Sequence, residues 1–370
     1  MLFGPRQASV RARPWAVIPA AGACDCEKMS DFNAYAHLRA TSRTFALSIE
    51  RLPQPVKDAI CLGYLMMRIS DYLEDNDVMS DARKVETLQL WDRVVAGEEA
   101  PERLVAAIAD CRPPVGHHDG ADFEAANAAP DVLAMLRRLP VPLQNHLVLH
   151  VRATSMGMAR WVERGPVIPA EPDMDDYMFE VAGRVGYLVT DVFAWYSRFV
   201  RERLDVLMPL AREFGLALQT VNVIRGLRKD YERGWIYVPD SFCAAVDLKR
   251  TDLFNPSYER EALQVLDMLA DKAERHLQLA LAYVQALPRW LHGLRLACIW
   301  PLLFAVRTLA ISRRNVNVLL GEVKMTREEV KAIMRDTTLF GWSNRWLANY
   351  ARQLRDAPRE AVTVRLAEAG

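Results

Sequence analysis

Several features that mark common protein classes are missing from this sequence. Its 47 Lys and Arg balance 47 Asp and Glu, so no net charge attracts nucleic acid. Six cysteines in 370 residues, without regular metal-site spacing, indicate reduced core residues rather than a disulfide framework. We find no dinucleotide-binding glycine fingerprint and no P-loop, and no run reaches the roughly 20 apolar residues that cross a bilayer. These absences disfavour nucleic-acid-binding, disulfide-rich, nucleotide-binding and membrane-spanning proteins.

What the sequence does contain is apolar residues at helical spacing, which predicts an all-α, single-domain helical bundle. We place this domain at residues 31–355, after a disordered extension (1–30) and before a charged tail (356–370). The apolar segment Leu296–Val306 is predicted to be a buried core helix, kinked or broken at Pro301. We expect a cytoplasmic protein. Peripheral contact with a membrane surface stays an open alternative, because a hydrophobic substrate could bring the protein there.

Two polar stretches stand out within the helical pattern. Asp71 and Asp75 are four residues apart, as are Asn222, Gly226 and Asp230. Positions i and i+4 share one face of a helix, and stacked carboxylates repel unless a cation lies between them. Mg²⁺ is held by a few carboxylates together with water and phosphate oxygens. The spacing therefore indicates a metal-bridged diphosphate site, although either stretch alone is also compatible with a solvated acidic face.

Four segments, in the correct order over about residues 32 to 310, resemble the squalene and phytoene synthase family, which joins prenyl diphosphates head to head. The resemblance implies a class I isoprenoid synthase bundle with a central substrate cavity and a requirement for Mg²⁺. The matching segments are Ser42-Arg43-Thr44-Phe45, Tyr64 to Asp75, Tyr177 to Gly186 and Gly215 to Pro239.

The residues and the resemblance together give a set of candidate site residues. Arginine pairs bidentately with phosphate oxygens, which makes Arg43 beside two hydroxyls a candidate phosphate clamp, or else a surface arginine. The predicted metal ligands are Asp71, Asp75 and Asp230, and Glu74 assists them. The predicted substrate-binding residues are Ser42, Arg43, Tyr64, Arg68, Asn222, Arg225, Lys229, Arg233 and Tyr237.

The second motif departs from the family pattern. The resemblance implies Asn-x-x-Arg-Asp-x-x-Glu-Asp, but Gly226 and Lys229 replace an aspartate and a glutamate here. A further departure is Glu180, where the family commonly has a tyrosine or a small residue. In an apolar pocket its pKa would rise, as suits a general base. Pairing with Arg184 one turn on is the alternative for Glu180.

We therefore predict a Mg²⁺-dependent prenyltransferase that ionises one allylic prenyl diphosphate and transfers the prenyl group to a small-molecule, non-prenyl acceptor. An aromatic acceptor in specialised metabolism is one candidate. Three alternatives stay open: an ordinary squalene or phytoene synthase, with NADPH needed only for squalene, a terpene cyclase, or a non-enzymatic paralogue. We expect no nucleic-acid partner, and either a monomer or a homodimer.

Overall fold

The computed structural model describes residues 32–114, 120–358 and 362–365, without the side chains of Arg43 and of 362–365. Most of this part of the chain is helical, which confirms the all-α prediction. Our prediction for residues 1–30 lies outside the described residues. The helices are α1 (Ala34–Thr41), α2 (Arg43–Ile49), α3 (Val56–Asp75), α4 (Asp81–Ala96), α5 (Pro101–Ala107), α6 (Gly120–Asn127), α7 (Ala129–Leu136), α8 (Val141–Arg164), α9 (Glu171–Met178), α10 (Arg184–Tyr196), α11 (Arg198–Arg201), α12 (Leu204–Glu232), α13 (Asp240–Ala244), α14 (Glu259–Ala286), α15 (His292–Ser312), α16 (Asn317–Leu320), α17 (Arg327–Phe340) and α18 (Asn344–Asp356).

Short irregular helices join some of these elements. A π-helix connects α9 to α10, within the matching segment Tyr177 to Gly186. Single turns of 3₁₀ helix follow α5 and precede α14. Their bounds are Phe179–Gly183 for the π-helix, and Ala109–Cys111, Arg250–Asp252 and Pro256–Tyr258 for the 3₁₀ turns.

A two-stranded antiparallel sheet is an element that the sequence analysis missed. Strand β1 (Gly321–Lys324) pairs with β2 (Val362–Arg365), with Gly321 opposite Arg365. We had assigned residues 356–370 to a charged tail, and that description is wrong for the four residues of β2. Short strands of this kind depend on their partner rather than on a local pattern, which explains why sequence periodicity did not reveal them.

The central helix of the bundle is α15. By length and composition it could cross a membrane, but 89% of its most apolar 18 residues are buried in the described structure, as expected for a core helix. The helix continues through Pro301 without a break. Its arginines are buried: Arg295 donates to the carbonyl oxygens of Val284 (2.7 Å) and Leu287 (2.9 Å). Arg307 donates from Nε to Oε1 of Glu329 at 2.6 Å. The two buried arginines therefore hold the apolar helix in place.

The two polar stretches lie at the carboxyl-terminal ends of long helices. Helix α3 ends directly after Asp75, because the side chain of Asn76 accepts hydrogen bonds from the backbone N–H groups of Val78 (2.9 Å) and Met79 (3.0 Å). Asp230 lies in the last turn of α12. The carbonyl end of a helix carries a partial negative charge, so carboxylates there add to an already negative region. The fold thus creates a demand for positive charge at this end of the bundle.

A buried ammonium group fastens α9 to α14. Lys272 has no solvent-exposed surface, and its Nζ contacts Asp175, Glu171 (3.4 Å to Oε1) and the Nε2 of His276 (3.2 Å). His276 in turn contacts Glu213 on α12 through Nδ1 at 2.6 Å. These partners lower the pKa of Asp175 despite the opposing effect of its burial. The network thereby links three helices and sets the position of the π-helix that follows α9.

Candidate active site

The first acidic motif forms the last turn of α3, where three carboxylates crowd together. Burial raises the pKa of Asp71 to about 6, opposed by Arg68 and assisted by the charge of Asp75. Burial raises the pKa of Glu74 well above its usual value, and the charges of Asp75 and Asp71 add to the effect. Crowded, desolvated carboxylates of this kind favour a bound cation.

The second motif contributes a single carboxylate to the same region. Burial, followed by the charge of Asp75, raises the pKa of Asp230 to about 7. Gly226 lies one turn before Asp230 and supplies no side chain. Arg233, just after α12, joins the two motifs: its Nη2 lies 3.0 Å from Oδ1 of Asp75, and its Nε lies 3.4 Å from Oδ1 of Asp77. The structure therefore brings Asp75 and Asp230 into electrostatic range.

The predicted phosphate-binding side chains surround these acids. Arg68 accompanies Asp71 (Nη1 to Oδ2, 3.5 Å) and Asp122 (Nε to Oδ1, 3.6 Å), and it donates to the hydroxyl of Tyr64 at 3.2 Å. Arg225 approaches Glu322 only at 3.9 Å. The positive charge of Lys229 partly offsets the rise in the pKa of Asp230 that burial causes, so the two groups are within electrostatic range.

Next to the motifs lies a largely apolar cavity of about 260 Å³. Tyr64, Arg68, Asp71, Gln219 and Asn222 form its polar part, and the remaining lining is mainly aliphatic and aromatic. The aromatic and aliphatic lining includes Phe45, Leu52, Leu188, Val189, Phe193, Phe214, Leu218, Tyr283 and Ala297. A pocket with charge at one end and hydrocarbon elsewhere suits an amphiphilic ligand with an anionic head.

The donor set is compatible with Mg²⁺, which takes oxygen ligands. Asp71, Asp75 and Asp230 could hold it, with Glu74 nearby. Among the described residues, however, no group of three His, Cys, Asp or Glu side chains could hold a metal ion by itself. Mg²⁺ usually keeps water and substrate phosphate oxygens in its shell, so one or two carboxylates suffice. These residues therefore fit an ion that arrives together with a diphosphate.

Comparison with known proteins agrees with this geometry. The sequence profile of the squalene/phytoene synthase family matches residues 38–329. The chain belongs to the squalene/phytoene synthase family. Human squalene synthase is 26% identical over 309 residues, covering 82% of this chain and 69% of that protein. Squalene synthase from Nicotiana benthamiana is 26% identical over 314 residues, covering 82% and 70%.

Solved structures of the family share the fold. TcSQS in complex with the ligand BPH1237 aligns with a TM-score of 0.73 at 23% identity, covering 88% of this chain and 92% of that one. A dehydrosqualene synthase in complex with a ligand aligns with a TM-score of 0.55 at 16% identity, covering 86% and 95%. The class I isoprenoid synthase architecture predicted from the resemblance is therefore confirmed. As a member of the squalene/phytoene synthase family, the protein is a prenyltransferase that acts on prenyl diphosphates.

Glu180 does not occupy the position that a general base requires. It lies in the π-helix but is absent from the cavity lining, whereas its neighbours Val181 and Ala182 line the cavity. Its carboxylate accepts from Arg184 at 2.5 and 3.1 Å and from Arg160 at 3.4 Å. The prediction of a base in an apolar pocket is therefore wrong in its geometry, and the alternative pairing with Arg184 is the one observed.

Gly157 on α8 provides the space for this carboxylate. A Cβ atom at position 157 would lie 2.3 Å from Oε2 of Glu180 and 2.8 Å from its Cβ. We expect Gly157→Ala to lower the free energy of unfolding by about 1–3 kcal/mol, because the π-helix must move away from α8. Urea unfolding monitored by circular dichroism tests this. Gly120→Ala is the control, because a Cβ there meets nothing within 4 Å; equal losses for both variants would contradict the expectation.

Of three other predicted residues, two have described side chains, and the third does not. Ser42 is the N-cap of α2, and its Oγ accepts from the N–H of Phe45 at 3.2 Å. The side chain of Arg43 lies outside the described part of the structure, so its role stays a prediction. Tyr237 stacks on Tyr177 with ring centroids 4.9 Å apart and accepts from the hydroxyl of Tyr177 at 3.2 Å. Tyr237 is not among the cavity-lining residues.

Sequence reasoning missed several residues of the site. Asp122 on α6 approaches Arg68 from a region in which we found no signal. Lys84 on α4 is buried, and its positive charge opposes the rise in the pKa of Glu74. Gln219 lines the cavity three residues before Asn222 and was detectable, since it lies in the matching segment. Asp122 and Lys84 could not be found from spacing, because only the tertiary fold brings their helices to α3.

Proposed function

We propose that this enzyme ionises one allylic prenyl diphosphate with the help of Mg²⁺ and transfers the prenyl group to a non-prenyl acceptor, with an aromatic compound as the leading candidate. The observation that supports this most is the inequality of the two motifs. Three carboxylates, Asp71, Glu74 and Asp75, crowd the end of α3, whereas α12 supplies Asp230 alone.

The charge balance of the second motif supports a single metal-assisted diphosphate. Gly226 provides no ligand, and the positive charges of Arg233, Lys229 and Arg225 act on Asp230. The first motif also has cationic neighbours, but it sets three carboxylates against them, whereas this face has Asp230 alone and therefore demands less Mg²⁺. Lys229, Arg225 and Arg233 instead suit direct neutralisation of a leaving diphosphate.

The cavity is also consistent with an ionised prenyl chain. Mg²⁺, when bound, supplies Lewis-acid neutralisation of the diphosphate. Arg68 then holds the charged head, Asp71 would hold the metal ion, and the apolar lining excludes water from the hydrocarbon part. Aromatic faces of Phe45, Phe193 and Phe214 are available to stabilise an allylic cation. As the carbon–oxygen bond breaks, diphosphate leaves with the electron pair, and the acceptor forms the new bond and loses a proton.

Ordinary head-to-head coupling is the second candidate, favoured by the match to squalene synthases over 82% of this chain. It would require NADPH if the product is squalene. The cavity of about 260 Å³ lies just below the roughly 300–1,000 Å³ of typical ligand pockets.

Incubation with single substrates separates the two candidates. Purified enzyme with Mg²⁺ receives dimethylallyl, geranyl, farnesyl or geranylgeranyl diphosphate, each with and without NADPH. Released diphosphate and organic products are then followed by mass spectrometry. We expect slow diphosphate release with a prenyl alcohol as the product, and prenylated product when an aromatic acceptor is added. A C30 or C40 hydrocarbon formed from the prenyl diphosphate alone would overturn the proposal.

Restoring the family's second motif provides a further test. A Cβ atom at Gly226 would lie 3.5 Å from Oδ2 of Asp230, which is ordinary van der Waals contact, so the backbone there accepts a side chain without a clash at Cβ. We expect the double variant Gly226→Asp/Lys229→Glu to gain head-to-head coupling of farnesyl diphosphate, because it adds two anions and removes one cation. The matched control is Arg228→Gln, on the same helix and paired with Glu232 at 2.7 Å. No gain in coupled product over wild type would show that the second motif does not set the acceptor.

A further inference from the structure

An exposed apolar patch lies where the start of α15 meets the end of α17. Trp290 is 69% exposed, Leu339 59%, Phe340 48% and Trp342 53%; we call these four residues the aromatic patch. The two segments are joined locally, since Nε2 of His292 donates to the carbonyl of Thr338 at 3.0 Å and Arg295 donates to the carbonyl of Gly341 at 3.2 Å. A group of large exposed apolar side chains marks an interaction surface, whereas single exposed apolar residues are common on any protein.

Unpaired positive charges border the aromatic patch. Phe199 packs edge-on against Trp290 with centroids 5.0 Å apart, and the guanidinium of Arg203 lies 4.4 Å from the Phe199 ring. Arg289 precedes Trp290 and is exposed. Within the part of the chain that the structure describes, neither Arg203 nor Arg289 has an ion-pair partner within 4.0 Å. The surface thus combines apolar rings with free guanidinium groups.

The aromatic patch lies at the end of the bundle opposite the acidic motifs. Arg203 directly precedes α12, and Asp230 lies 27 residues later, which corresponds to about 40 Å along the helix. The apolar part of the cavity extends toward the patch. Leu52, a lining residue, follows Arg51, whose carbonyl oxygen would lie 2.8 Å from a Cβ at Gly293 at the start of α15. Ala297, one turn further on, also lines the cavity.

We propose that the aromatic patch and its arginines dock on the surface of an anionic phospholipid bilayer. Tryptophan and other aromatic side chains favour the interface between headgroups and acyl chains, and arginine binds lipid phosphate while its stem packs on apolar surface. A second copy of the chain is a poorer occupant. A two-fold contact through this patch would bring the unpaired Arg203 and Arg289 of both copies together, which repels. The proposal does not depend on which acceptor the enzyme uses.

Vesicle binding of the full chain tests the proposal. Sedimentation with phosphatidylcholine vesicles containing phosphatidylglycerol is compared with sedimentation on phosphatidylcholine alone. We expect binding to the anionic vesicles, with tryptophan fluorescence quenched by brominated lipid. Trp290→Ala and Trp342→Ala should each weaken binding about tenfold. Arg203→Gln and Arg289→Gln should each weaken binding to anionic vesicles about fivefold.

Tyr258→Ala is the matched control. Tyr258 is 41% exposed and directly precedes α14, whereas Trp290 follows the other end of that helix, whose 28 residues span about 40 Å. We expect this variant to bind vesicles like wild type, and all variants to keep wild-type diphosphate release. Absence of wild-type binding to anionic vesicles would overturn the proposal, as would tryptophan variants that bind normally. A dimer in sedimentation velocity that the tryptophan variants lose would also overturn it, by showing that a second copy covers the patch.

Discussion

Replacing Asp71 by asparagine should lower the turnover number for diphosphate release by about 10²–10³-fold, the usual effect of removing one charge-stabilising group from an active site. Asp71 lines the cavity, and its side chain is 34% exposed there. Asparagine keeps the shape but removes the negative charge that could hold Mg²⁺ on the substrate. Steady-state release of diphosphate from farnesyl diphosphate, measured over a range of Mg²⁺ concentrations, provides the test.

The fold should tolerate this change. Arg68 loses a partner at 3.5 Å but keeps Asp122 at 3.6 Å, so no buried guanidinium is left alone. Asp110→Asn is the matched control: Asp110 is bound by Arg83 at the surface and is absent from the cavity lining. If Asp71→Asn and Asp110→Asn both retained wild-type turnover, the assignment of Asp71 to the site would fail.

Replacing Asp175 by alanine should lower the free energy of unfolding by about 3 kcal/mol, because it leaves a buried charge without its main partner. Lys272 is completely buried and would retain only Glu171 at 3.4 Å and the ring of His276. Lys272→Met should cost less, about 1 kcal/mol, since methionine fills most of the same volume without a charge. The carboxylates left behind can reach water, as Asp175 is 27% and Glu171 34% exposed. Urea unfolding measures both variants.

The double variant Asp175→Ala/Lys272→Met makes this a thermodynamic cycle. It should be more stable than Asp175→Ala alone, because removing the ammonium also removes the uncompensated charge. Strictly additive losses would mean that Lys272 and Asp175 do not interact energetically, and that the ion pair is not what fastens α9 to α14.

The sequence was sufficient for the helices and for much of the polar part of the site. Asp71, Asp75, Asn222 and Asp230 each follow from i, i+4 spacing, and that spacing survives folding because it is a property of a single helix. Thr326 and Glu329 have the Thr-x-x-Glu spacing typical of a helix start, and the capping box that this spacing favours is present. Local rules therefore located each motif.

Residues whose role depends on a second element were not predictable in this way. Glu180 looked like a base because its neighbours are apolar, but Arg160, 20 residues earlier, and Arg184 hold its carboxylate. Pro301 indicated a kink or break, and no break occurs there: α15 continues through it, since packing on all sides outweighs the lost hydrogen bond. Strand β2 and Asp122 likewise acquire their partners only in the tertiary structure.

Nearby positive charges explain how three carboxylates can lie close together at the end of α3. Arg233 lies on Asp75, Arg68 on Asp71, and the charge of Lys84 acts on Glu74. The chain thus carries its own counter-ions for the first motif, and the bundle does not depend on a metal to offset that charge during folding. If Asp75 were to hold Mg²⁺, Arg233 would have to leave that carboxylate, and the anionic head of the substrate would offer its guanidinium a new partner.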